Sequence, residues 1–122
     1  MNNRTHEKNV VKAKEEVINI KVVNPANEDL GKICEVMLDK ESGRVAYAVL
    51  ESGSFLGVGG KLFALPWSSI KYDPEKEAFL LDVEKEKLKK APGFDKNNWP
   101  DMADRSWGES VSQYYGVKSY WE

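Results

Sequence analysis

The sequence is short of the residues that do most enzymatic chemistry. Its 122 residues include one cysteine and one histidine. A lone cysteine, Cys34, excludes an intrachain disulfide and any metal cluster built on several cysteines. It also agrees with a reducing compartment. His6 lies in the N-terminal stretch, far in sequence from Cys34, so the commonest general base and the commonest thiol nucleophile are not paired. No run approaches the roughly 18–20 apolar residues that cross a bilayer. Residues 1–16 are polar and of mixed charge, without the apolar stretch of a secretory signal. A soluble, cytoplasmic chain with no membrane span is expected. Charge of one sign is lacking too: 18 Lys and Arg against 20 Asp and Glu leave a net charge of −2. That balance disfavours a protein that grips nucleic acid by bulk charge.

What is present suits one small globular domain, with 41% hydrophobic and 31% charged residues. Residues 1–16 read as a flexible tail with some helical character near its end. From residue 17 to 91 short β-rich segments alternate with turns. Val17–Val23 is rich in β-branched residues and predicts a strand. Lys32–Asp39 and Arg44–Leu50 predict a hairpin around Lys40-Glu41-Ser42-Gly43, with Gly43 suited to a positive φ. Cys34, Val36 and Leu38 fall on one face of the first of these strands. Lys61–Leu65, Trp67–Tyr72 and Ala78–Val83 complete a set of about six strands. The fold class expected is mainly β: a small closed barrel of short antiparallel strands, since closure hides edges that such strands cannot otherwise protect, plus short C-terminal helices. Both faces of Arg44–Leu50 are apolar (Val45, Tyr47 and Val49; Ala46, Ala48 and Leu50), so something must cover the face turned away from the barrel interior.

Three motif readings fail on inspection. The glycine-rich stretch Gly53–Gly60 lacks the P-loop pattern, with Phe55 where the first Gly belongs and Leu62 where Ser or Thr belongs. Leu62 also occupies the third Gly of a dinucleotide fingerprint. Asp39–Arg44 lacks the glycine and the terminal Glu of a calcium loop. No cofactor, metal or catalytic residue is expected. Cys34 reads as a small buried hydrophobe.

Residues 92–122 are the anomaly. They carry Phe94, Trp99, Trp107, Tyr114, Tyr115, Tyr120 and Trp121, against 13 aromatics in the whole chain. Burying one such side chain contributes about 1.5–3 kcal/mol, so this extension is expected to order by packing on its own barrel or on a second copy. Ser106-Trp107-Gly108-Glu109 fits a capping box, and Asp101 also reads as a helix-start residue. Trp107, Val111, Tyr114 and Tyr115 form one helical face that Gly116 would terminate.

Several strings together resemble the PRC-barrel family. They are Gly31-Lys32-Ile33 with Gly43–Leu50, the run Gly53–Trp67, Glu86–Phe94 with its Ala-Pro-Gly-Phe, and Trp99-Pro100-Asp101-Met102. The likeness covers Val17 to Gly116 and is to free-standing bacterial members that carry a tail after the barrel. It implies a small β-barrel of the kind found in the reaction-centre H subunit and in a ribosome maturation factor, domains that act by protein contact. The expectation is therefore a non-enzymatic interaction module, as a homodimer, meeting a protein partner. Phe55, Leu56, Trp99, Trp107, Tyr114, Tyr115 and Trp121 are its candidate contact residues. The alternative is a small-ligand or RNA-associated barrel module.

Overall fold

Turn chemistry sets where each element begins and ends in the computed structural model, which describes residues 9–53 and 60–122. A short helix α1 (Ala13–Glu16) leads into β1 (Lys21–Val23). The strand expected from Val17 starts four residues late. Asn19 adopts φ +70°, its N–H donates to the Ile33 carbonyl at 2.6 Å, and the Ile20 N–H turns back to Val17. Asparagine tolerates this left-handed backbone, and one such residue interrupts a strand whatever its neighbours prefer.

β2 (Asp29–Leu38) and β3 (Val45–Ser52) are the long strands. The Asp39 carboxylate caps their hairpin by accepting from the Glu41 and Ser42 N–H groups, which holds it below the usual carboxylate range. β2 begins before Gly31 rather than after it. Gly31 has φ +134°, and a Cβ there would collide with the Glu51 carbonyl of β3. Register shifts between Ile33 and Glu35 and between Met37 and Leu38 break the strict alternation expected of β2. Ile33 is fully buried and Leu38 is 59% exposed. Cys34 is only half-buried, not the core residue expected. Its thiol is pushed up by burial and by Glu51 and Glu35.

β4 (Leu62–Pro66) is buried throughout. The strand expected over Trp67–Tyr72 divides instead into a 3-10 turn (Trp67–Ser69) and β5 (Ile70–Asp73). Pro66 starts the turn, and the Ser69 hydroxyl donates back to its carbonyl at 2.6 Å. β6 (Ala78–Leu81) and helix α2 (Lys85–Lys89) follow, and then α3 (Arg105–Tyr114).

The strands form one curled sheet in the order β4-β3-β2-β1-β6-β5. One pairing departs from the all-antiparallel expectation: β1 and β6 run parallel, through Val22 opposite Phe79 and Val23 opposite Leu80. The ladder has two ends, β4 and β5, and no pairing between them occurs among the described residues. The curl still wraps a single core. Val22, Leu30, Ile33, Leu50, Phe63, Leu65, Ile70, Phe79 and Leu81 come from all six strands, and Leu88 of α2 plugs them. No helix among the described residues is long and apolar enough to cross a membrane.

Candidate contact surface

Ala46 to Leu50 of β3 are all buried, so both faces of that strand are covered. Ala48 and Leu50 point into the curled core, opposite Leu65 and Phe63. Outside it a second, smaller core holds Ala46, Tyr47, Ala64 and Val111, flanked by Met37, Phe94, Met102, Trp107, Tyr115 and Tyr120. Most of that cover comes from the aromatic segment after residue 92 of the same chain.

The segment is fastened at successive points. The Phe94 N–H and C=O exchange hydrogen bonds with Leu62 of β4, both at 2.9 Å. Gly93 precedes it because a Cβ there would press on Lys61 and on the Leu62 carbonyl, at 2.6 and 2.9 Å. Asp104 caps α3, its side chain accepting from the Ser106 N–H at 3.0 Å, so the helix starts two residues before the expected capping box. Asp caps as well as Ser, and a carboxylate also meets the positive end of the helix dipole. Asp101 starts no helix; it accepts from the Ala103 N–H in the preceding turn. Gly116 at φ +71° ends α3, and the Val117 N–H reaches back to the Ser112 carbonyl at 3.0 Å.

Tyr47 is the hub beneath this segment. Its ring meets Trp107 edge-on at 5.3 Å and Tyr120 at 6.0 Å. Gly108 lets α3 descend onto it: a Cβ there would stand 2.6 Å from the Tyr47 hydroxyl and 3.0 Å from the Trp121 ring. The Tyr47 hydroxyl is buried and has no hydrogen-bond partner among the described residues. Burial and the neighbouring Tyr120 push it up to about 12. The Tyr115 hydroxyl is likewise buried without a partner among the described residues, and burial together with Tyr114 pushes it well above the ordinary tyrosine value.

The candidate contact residues divide accordingly. Phe55 and Leu56 lie outside the described residues. Trp107 packs on Tyr47, and Tyr115 joins both cores. Tyr114 donates its hydroxyl to the Lys87 carbonyl at 2.5 Å, with the Lys87 ammonium 5.3 Å from its ring. Trp121 lies under Arg105 at 5.0 Å, and Arg44 donates to the Tyr120 carbonyl at 2.8 Å. Trp99 stands apart at 39% exposed. Its indole N–H donates to the Lys96 carbonyl at 2.8 Å, and its ring leans on Phe94 at 5.0 Å.

A family model described as PRC-barrel domain matches residues 10–88. The chain belongs to that family. A search of the curated proteins finds no match. The PRC-barrel match stops at α2, so the aromatic cover lies beyond the matched residues although it completes the burial of β3 and β4. Among the described residues, no three His, Cys, Asp or Glu side chains are grouped to hold a metal. Open grooves lie among the described residues. One of about 570 Å³ is lined by Asn24, Glu28, Asp82, Glu84 and Lys85. Another, of about 450 Å³, is lined by Arg44, Trp67, Ser112, Lys118 and Tyr120. Sequence reasoning missed Gly108 and the exposure of Leu38 and Tyr72. A glycine set between Trp107 and Val111 on an apolar helical face was the available signal for the first.

Proposed function

We propose that this PRC-barrel protein is a non-enzymatic contact module whose curled sheet and aromatic cover form a rigid platform for another protein, and that it self-associates. The observation that carries the reading is the state of Trp99. An indole held by a backbone hydrogen bond and by Phe94, yet more than a third exposed, has already lost most of the rotamer freedom that binding would remove. Tryptophan dominates interface energetics when it enters a partner's pocket, and truncating such an anchor costs about 2 kcal/mol or more, roughly thirtyfold in Kd. The protein-contact roles implied by the family likeness point the same way. The near-neutral charge supports a protein partner over RNA.

The test compares the full chain with Trp99→Ala as immobilised bait against lysate of the source cell. The variant is expected to melt within a degree or two of the parent and to lose the proteins that the parent retains. An identical retained set from both baits overturns Trp99 as the anchor.

A further inference from the structure

The two ends of the ladder are not alike. β4 is buried along its length, and Phe94 pairs with Leu62 at its start. β5 pairs with β6 on one side, and nothing among the described residues pairs with its other edge. Its outer residues are on the surface: Lys71 is exposed, and Tyr72 is 44% exposed although its ring meets Phe79 at 5.2 Å. Natural sheets blunt such edges by shortness and by lysine, because an open edge recruits another strand. Here the edge is four residues long and carries one lysine, but its charges are symmetric about Tyr72, with Lys71 on one side and Asp73 on the other.

We infer that β5 pairs antiparallel with β5 of a second copy, in the register that sets Tyr72 opposite its own counterpart. The inference rests on the self-association half of the reading above. In this register Lys71 of each copy lies opposite Asp73 of the other. A two-fold axis then yields one aromatic pair and two ion pairs from a single strand, and closely opposed cross-strand pairs of these kinds are the stabilising unit of a sheet. Pro74 falls opposite Ile70 and, having no N–H, ends the ladder there. The sequence thus allows one register and limits its length. Four residues a side bury far less than a standard interface of about 1,600 Å², so the dimer is weak and concentration-dependent.

Directly opposed residues in an antiparallel pair have Cα atoms about 4.5–5.5 Å apart, within reach of a disulfide. In a Cys34→Ser background, Tyr72→Cys is expected to give a disulfide-linked dimer under mild oxidation. Leu38→Cys, more exposed than Tyr72 but away from this edge, is expected to give little. Sedimentation of the full chain supplies the second arm. Lys71→Glu sets like charges opposite each other twice and is expected to weaken the dimer about tenfold. Asp73→Lys is expected to do the same, while a mixture of the two variants regains the dimer because each Glu then faces a Lys. Asp73 also accepts from the Glu75 N–H. If thermal melting shows that Asp73→Lys does not fold, the cross-link and Lys71→Glu decide. A parent chain that is monomeric at every concentration overturns self-association, and this inference with it, leaving Trp99 as a contact residue for a different protein. A dimer that ignores Lys71→Glu and does not cross-link through Tyr72→Cys overturns the β5 edge alone.

Discussion

The Tyr47 hydroxyl is buried beneath α3 without a partner among the described residues. Such a group costs about 1–3 kcal/mol of desolvation, whereas its ring is among the best-packed in the chain. Tyr47→Phe is therefore expected to leave stability at neutral pH unchanged or slightly higher, unlike most core substitutions. The effect of pH follows from the raised value of about 12. Tyrosines in the unfolded chain ionise near pH 10, while folded Tyr47 keeps its proton. The unfolded state then binds fewer protons, and stability falls from about pH 10 up to about pH 12. Urea melts across this range should show the fall, and Tyr47→Phe should make it shallower without abolishing it, because Tyr115 is raised as well. That Tyr47 is a core residue was legible from an apolar strand. The fate of its hydroxyl was not, because that depends on which residues some 60 positions later in the chain come to lie on top of it.

At the scale of elements, α3 is held on the sheet by close approach at one point. Alanine is a better helix former than glycine by up to about 1 kcal/mol. Gly108→Ala is nevertheless expected to destabilise by about 1–3 kcal/mol, since the added methyl meets the Tyr47 hydroxyl and the Trp121 ring. Thermal unfolding of the single and double variants checks the cause. Combined with Tyr47→Phe the penalty should shrink, because the tightest contact is gone, and equal penalties in both backgrounds would place the strain elsewhere. The apolar face and the terminating Gly116 of this helix were readable from spacing. Its first residue was not, because Asp104 and Ser106 are both competent caps and tertiary placement selects between them. β1 shows the same limit: its β-branched run reads as a long strand, and a single left-handed Asn19 shortens it. The glycine that lets β2 pass close to Glu51 was visible as a residue but not as a contact.

At the scale of the whole molecule, the sheet consists of two locally paired parts joined by one distant seam. β1 to β4 follow each other in sequence and in space, as do β5 and β6. Two parallel rungs join them, Val22 to Phe79 and Val23 to Leu80, beside the buried Asn24 amide that donates to the Val83 carbonyl at 3.3 Å. Local strands and turns leave marks in a sequence, whereas a parallel pairing between residues so far apart leaves none; hence the six-strand estimate succeeded and the all-antiparallel one did not. Loop-closure entropy opposes this seam, and few hydrogen bonds offset it. Native-state hydrogen exchange is expected to release the β5–β6 amides at lower free energy than the β2–β3 amides. Uniform protection across all six strands would count against a weak seam. The position of the aromatic cover has a consequence in time. Translation delivers the sheet first and its lid afterwards, so a growing polypeptide shows the greasy back of β3 and β4 to water until Trp107 and Val111 emerge. A premature stop in the intervening stretch would make that nakedness permanent, and such a fragment should precipitate or be held by chaperones although every strand of its sheet is present.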